Sequence, residues 1–441
     1  MDPGRQEKTE TAKELAIYLG DRVMPYWYDT TIDTVNGGYL LADSLYPFRG
    51  TRMPWRFRLR LLLFGNSERW NIKTEEKQLA SQCRMIFVFS LVHRLGYSGT
   101  GRNYLKAAEA GYRFIIEAML DRQHGGFYWR TDVEGRVLES RRSLYGQAFA
   151  IYALVEYHRA SGLSAPLDQA FALYRKVQEK LHDEINSGWI EHGDEAFRPL
   201  NSLGNRESRS ICGMPGRIAM KSSDAHLHWM EALIELYDVT GDASVRSSLT
   251  EVLHVSKTFF FLANPFKSCD YMGADWSKVQ GNDDDGISYG HIIEFAYLMI
   301  RAQRVLQVAP DWCHFDNILM HALKYGFDHK KGGFYWRGFD GRPASDRTKV
   351  WWVQAEGMAA LTEAIYHEPD TYYDEALDLL VKWIFKYQIL SDDGIWIAST
   401  TEKGRPIDLA KATSWKAAYH EVRAITKFIH TFSSPGNSYV S

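Results

Sequence analysis

The chain has 441 residues, 45% hydrophobic and 24% charged, with a formal net charge of −3. That is ample apolar surface for a large core, so disorder is excluded, and the charge balance gives no pull toward nucleic acid or an anionic membrane. The opening MDPGRQEKTETAKELA lacks the apolar stretch of a secretory signal, and no run approaches the roughly 18 apolar residues of a membrane span. Cys83, Cys212, Cys269 and Cys313 are scattered without CxxC spacing, which fits a reducing, cytoplasmic setting. Aromatic content is high, with 14 Trp, 25 Tyr and 22 Phe. Such a content serves either a core of large side chains or platforms on which sugar rings lie.

In chain order, periodicity predicts helices over 8–26, 75–95, 102–119, 142–161, 166–181 and 220–240, then over 243–262, 289–307, 313–326, 349–367, 371–387 and 411–431. These make twelve helices in six pairs. Segment 166–181 carries a one-sided stripe of Leu167, Ala170, Phe171, Tyr174, Val177 and Leu181, whereas 85–92 and 292–300 are apolar almost all round. Between helices a turn recurs: Asp33 to Gly37-Gly38-Tyr39, Asp121 to Gly125-Gly126-Phe127, Asp183 to Gly188-Trp189, Asp328 to Gly332-Gly333-Phe334, and Asp392 to Gly394-Ile-Trp396. A degenerate sixth copy is read at Asp270 to Gly273 and Trp276. Paired glycines supply positive φ, and the aromatics that follow suit a short strand. Striped and enclosed helices in alternation predict an all-α, single-domain (α/α)6 barrel over residues 1–441, with short β-hairpin turns between helices. Helix one begins the outer ring and helix twelve closes the inner ring. Two irregular insertions stand out, near 44–74 and 193–219. The first holds Arg49, Arg52, Arg56, Arg58 and Arg60, a solvated or partner-facing segment that could greet an anionic sugar. Asp283, Asp284 and Asp285 read as a solvated loop.

Six enclosed helices each carry an unexpected polar or aromatic residue near one end. They are Arg84, Tyr145, His226 with His228, His291, the pair Trp351 and Trp352, and His420. Their convergence on one pocket is the case for an enzyme. A lone core histidine is ordinarily a hydrogen-bonded structural residue, and His226 keeps that reading. Residues two apart on a helix do not face together, which also argues against zinc at the His-Leu-His string.

The strings SQCRMIFVFS, LYGQAFAIYALVEY, HLHWMEAL, SYGHIIE, KVWWVQAE and SWKAAYHEVRA resemble the signature segments of the N-acylglucosamine 2-epimerase superfamily, in order and over nearly the whole chain. They are most similar to its cellobiose 2-epimerase and mannose 2-epimerase branch. The resemblance implies an (α/α)6 barrel with His291 and His420 as acid/base histidines and Arg84 stabilising the intermediate. It further implies His228, Tyr145, Trp415 and one of Trp351 and Trp352 as sugar contacts, with Glu294 beside the catalytic pair. Asp224 stands four residues before His228, where relatives read Asn, and bears on which sugar is bound. Glu356 joins the candidate substrate-binding set.

The implied chemistry is cofactor-independent epimerisation at C2 of a reducing sugar, either a β-1,4-linked disaccharide or free glucose or mannose. It requires ring opening and removal of the proton beside the aldehyde, for which imidazole is well suited. An always-charged guanidinium can fork across the enediolate oxygens. Neither metal nor nicotinamide is needed. Proton return to C1 instead would make the chain an aldose–ketose isomerase. A glycoside hydrolase would need two flanking carboxylates, with Glu294 and Glu356 the candidates, and a sugar-binding protein with a decayed site is the non-enzyme rival. The expected partner is a small-molecule sugar, the chain acting as monomer or homodimer.

Overall fold

The computed structural model describes residues 3–41, 76–97, 101–200, 220–264, 266–278, 286–389 and 393–433. The arginine-rich stretch 49–60, the acidic run 283–285, Cys212, Asp392 and most of the 193–219 insertion lie outside the described residues.

Six helices form an inner ring: α3 (Leu79–Arg94), α5 (Leu144–Ser161), α7 (Ser223–Thr240), α9 (Tyr289–Val305), α11 (Trp351–His367) and α13 (Tyr419–Ser433). Each packs on the next, and α13 returns to α3 to close the ring. Around them lie α4 (Tyr104–Phe114), α6 (Ser164–Leu181), α8 (Ala243–Val255), α10 (Trp312–Gly326) and α12 (Thr371–Trp383). The outer ring is completed by α1 (Pro3–Tyr18) and α2 (Met24–Thr31), joined through a π-helical turn, with α1 packed on α13. The arrangement is the (α/α)6 barrel that the alternating patterns predict. Its physical basis is visible in the burial: residues 79–92 of α3 are all buried, whereas α6 buries Pro166, Ala170, Leu173, Tyr174, Val177 and Leu181 and exposes Asp168 and Arg175. Leu167 and Phe171, assigned to the stripe from sequence, are only half-buried at its edge.

Five inner helices start from short strands that pair antiparallel across the same end of the barrel. Glu76–Gln78 pairs with Arg130–Asp132, and Arg142–Ser143 with His192–Gly193. Met220–Ser222 pairs with Tyr271–Gly273, Ile287–Ser288 with Arg337–Gly338, and Lys349–Val350 with Ser399–Thr400. The glycine turns sit beside these strands and are held by buried charge. Asp33 accepts from Val35 and Asn36 backbone N–H through Oδ1, and from Lys77 Nζ at 2.7 Å through Oδ2. Lys221 with Asp183, Lys349 with Asp328, Arg142 with Asp121 and Lys411 with Asp393 repeat the device. Gln82, Gln147 and Gln354 each read both backbone groups of the aromatic residue after a turn. At Trp189 that place is taken by His226, whose Nε2 accepts the backbone N–H at 3.1 Å while Nδ1–H donates to Ser222 O. Burial drives His226 down to about 3, so this histidine is a structural acceptor.

Two sequence expectations need correction. The Asp270 to Trp276 copy is not a glycine turn: Tyr271–Gly273 is the strand that follows a turn, and the turn position is filled by the hairpin Phe261–Ala263 and Phe266–Ser268. The last inner helix begins at Tyr419 rather than 411, because Thr413 Oγ1 accepts from the backbone N–H groups of Trp415 and Lys416 and folds that stretch into a bend. Trp415 is therefore a loop residue.

Candidate active site

The inner-helix N-termini share one end of the barrel, so side chains in the first two turns of each point toward the axis. There they enclose a cavity of about 150 Å³. Arg84 comes from α3, Tyr145 from α5, and Asp224 and His228 from α7. His291 and Glu294 come from α9, Trp351 and Trp352 from α11, Trp415 from the preceding loop and His420 from the first turn of α13. Of the sequence-selected residues, Glu356 alone stands behind the wall, bonded to His420.

Arg84 is fixed from three sides. Nη1 donates to Trp415 O at 2.8 Å, Nη2 donates to Tyr145 Oη at 2.5 Å, and the guanidinium lies 4.5 Å from the Phe149 ring centroid. A delocalised cation held this way is a preorganised partner for an oxyanion. His291 and His420 flank Trp352, their ring centroids 4.9 and 5.6 Å from its ring. Trp352 lies so close to α9 that a Cβ at Gly290 would meet its ring at 2.3 Å, so the glycine before His291 is what admits the indole.

Below the cavity, a buried ionic network holds His420 and His228 and ends near His291. His420 Nδ1 is 2.6 Å from Glu356 Oε1, and Arg423 Nη2 donates to Glu356 Oε2 at 2.6 Å and to Glu294 Oε1 at 2.7 Å. Arg423 Nη1 and Tyr419 Oη–H donate to Glu231, whose other oxygen is 3.0 Å from His228 Nδ1. His228 Nε2 lies 3.4 Å from Asp224 Oδ1, and the same oxygen lies 3.6 Å from His291 Nε2.

Protonation follows from these contacts. Burial opposes charge on His228, but hydrogen bonds to Asp224 and Glu231 overcome it and lift the group to about 9. Burial alone would raise Asp224, yet its hydrogen bond to His228 and the His291 charge hold it at about 2. Burial and the neighbouring Glu356 carboxylate raise Glu294 to about 7. Burial, with the Arg84 and Arg423 charges, holds His420 well below the ordinary imidazole range, so it is neutral near pH 7. With Arg423 on the other oxygen, Glu356 Oε1 accepts from Nδ1–H and leaves the Nε2 lone pair of His420 free. Among the described residues, the clusters His228–Glu231–Glu294 and Glu294–Glu356–His420 have metal-ligand spacing, but the Arg423 guanidinium already bonds all three carboxylates.

Arg423, Glu231, Tyr419 and Phe149 escaped the sequence reading. The signal was present for two of them: Glu231 follows His228 by three residues and Arg423 follows His420 by three, the spacing of same-face neighbours on a helix.

The chain belongs to the N-acylglucosamine 2-epimerase (GlcNAc 2-epimerase) family, which it matches over residues 68–424. It is thus an enzyme of the carbohydrate epimerase and isomerase class. A cellobiose 2-epimerase of Ruminococcus albus is 29% identical over 427 residues, covering 94% of this chain and 97% of the relative. A D-mannose isomerase of Thermobifida fusca is 24% identical, covering 68% of this chain and 73% of the relative. The solved cellobiose 2-epimerase of Spirochaeta thermophila superimposes with a TM-score of 0.80 at 25% identity, covering 98% of this chain and 99% of that one. Among the described residues no helix is long and apolar enough to cross a membrane.

Proposed function

We propose that the chain inverts C2 of a reducing-end hexose, either cellobiose or mannobiose or free glucose or mannose, through a ring-opened enediolate. His291 and His420 exchange the C2 proton from opposite faces, and Arg84 holds the enediolate oxygens. The observation that carries this reading is the geometry of His420, fixed through Nδ1 by Glu356 and opening with His291 and Arg84 on one small cavity. In the forward step, one imidazole takes the C2 proton, the C2–H electrons become the enediolate, and the second imidazole protonates C2 from the other side. Negative charge develops opposite Arg84 and near six helix N-termini, where aligned peptide dipoles favour it. Tyr145, His228, Trp351, Trp352 and Trp415 shape the wall against which the sugar lies.

Proton return to C1 would yield a ketose from the same enediolate, and the resemblance to a D-mannose isomerase keeps that second reading in view. Hydrolysis is disfavoured by the fate of the two carboxylates. Glu356 is committed to His420 and Arg423 outside the cavity wall, so it does not flank a glycosidic bond with Glu294. Incubation with glucose, mannose, cellobiose and N-acetylmannosamine, followed by product NMR, is the test. A C2 epimer supports the assignment and a ketose selects the isomerase; oligosaccharide hydrolysis without either product overturns both.

A further inference from the structure

The two cavity histidines end two arms of one network rooted at Arg423, and the arms are unequal. The short arm runs from Arg423 through Glu356 to His420 Nδ1, at 2.6 Å per contact. The long arm runs from Arg423 through Glu231 and His228 to Asp224 and ends against His291 Nε2. The short arm engages the nitrogen of His420 that faces away from the cavity. The long arm stops at ion-pair distance, 3.6 Å, from the Nε2 of His291, on an imidazole whose Nδ1 is buried and makes no hydrogen bond among the described residues. His228 donates Nδ1–H to Glu231 and pairs through Nε2 with Asp224 at 3.4 Å, which sets the Asp224 oxygen between the two rings.

We infer that Asp224 is a positioning residue that loads His291 as the proton donor, while His420 enters turnover as the proton acceptor. The inference rests on the two-histidine reading above. An anionic carboxylate 3.6 Å from Nε2, at ion-pair distance, favours the imidazolium form of His291 while the site waits, so a proton is held on the nitrogen that will face the sugar carbon; His420 presents a bare lone pair. The charged and titratable groups around His291 are Asp224 and His228 on α7, Glu294 on its own helix, His420 on α13 and Arg84 on α3, with Trp352 facing it from α11. Among them Asp224 is the group whose oxygen lies 3.6 Å from Nε2. In the step, the C2–H bond breaks to His420 Nε2, and its electron pair forms the enediolate. That pair then takes the Nε2 proton of His291 at the opposite face of C2. His420 finishes protonated and His291 neutral, and solvent resets both.

The consequence is a partition. An enediolate that receives its proton back from His420 returns to substrate carrying solvent hydrogen at C2, and one protonated by His291 becomes the epimer. The test compares wild type with Asp224→Asn in D2O, following by NMR the deuterium at C2 of recovered substrate and of product. For the epimer whose C2 proton faces His420, Asp224→Asn is expected to raise the ratio of substrate exchange to epimer formation about tenfold or more, the scale of one close ion pair in a partly desolvated site. Asp224→Glu, which restores a carboxylate, moves the ratio back toward wild type. A purely structural or binding role would lower exchange and epimerisation together and leave the ratio unchanged, which overturns the inference. If wild-type enzyme forms epimer with no deuterium at C2 in either sugar, the two-histidine reading itself has failed, a separate outcome.

Discussion

Glu356 joins His420 to Arg423: one carboxylate oxygen sits 2.6 Å from the imidazole Nδ1 and the other accepts from the guanidinium at 2.6 Å. A buried carboxylate shared in this way fixes both the orientation and the tautomer of the ring. Glu356→Gln leaves one oxygen where Arg423 and Nδ1–H each need one, so the amide NH2 displaces an acceptor and the proton-free nitrogen no longer faces the cavity reliably. We expect kcat to fall about 10²-fold, the lower range of general acid/base contributions, with a smaller change in KM. Steady-state kinetics on the preferred sugar, with circular dichroism to confirm folding, check this.

His291→Ala and His420→Ala each remove one proton carrier, so each is expected to cut net epimerisation by about 10²–10⁴-fold. In D2O, each folded single variant retains C2 exchange only in the epimer whose proton faces the surviving histidine. Full activity in either folded variant would remove that residue from the proposed mechanism.

Arg423 neutralises Glu231, Glu294 and Glu356 within a buried cluster. Replacing it by Met leaves carboxylates buried without their cation, which typically costs about 3–5 kcal/mol. Urea unfolding should show that loss. Glu356→Leu added to Arg423→Met should recover part of it, because one orphaned charge is removed with its partner.

Stability should also fall on the alkaline side. His228 is raised from 6.5 to about 9 in the fold, so its stabilising contribution is complete below pH 6.5 and is lost as pH rises through about 9. Asp224 and Glu231 act in the opposite sense: both are held at about 2, so their contributions are present above their ordinary values of 3.8 and 4.5 and are lost as pH falls toward 2. Thermal unfolding from pH 6 to 10 should show a decline between about 6.5 and 9 that His228→Gln flattens. An unchanged slope in the variant would assign the decline to other groups, such as Glu191, which burial raises to about 8.

Gly290→Ala tests the packing that places Trp352. The added methyl would meet the indole at 2.3 Å, and backbone and ring cannot both stay. We expect a destabilisation of about 1–3 kcal/mol, as for other overpacked sites. A fall in kcat/KM should accompany it as Trp352 shifts between His291 and His420. Tryptophan fluorescence and kinetics read the two effects.

Much of this protein was legible from its chain because its chemistry sits at repeated positions. Enclosed helices announce themselves by being apolar all round, so Arg84, His228, His291 and His420 were visible as interruptions with no local reason to be there. The recurrent Asp-to-glycine turns set the repeat, and six repeats of two helices close only as a double ring. What sequence did not decide is which polar groups meet. Glu231 and Arg423 lie 192 residues apart, and the three-residue spacing that puts each on the face of a histidine does not say that the two side chains meet. The sequence equally left Asp224 as a change in sugar contact, whereas ring closure sets its oxygen between two imidazoles from neighbouring helices. Charge states follow the same division. Residue type gives each histidine its ordinary range, but desolvation and partners brought in by the barrel separate a His228 near 9 from a neutral His420 on the far side of one cavity.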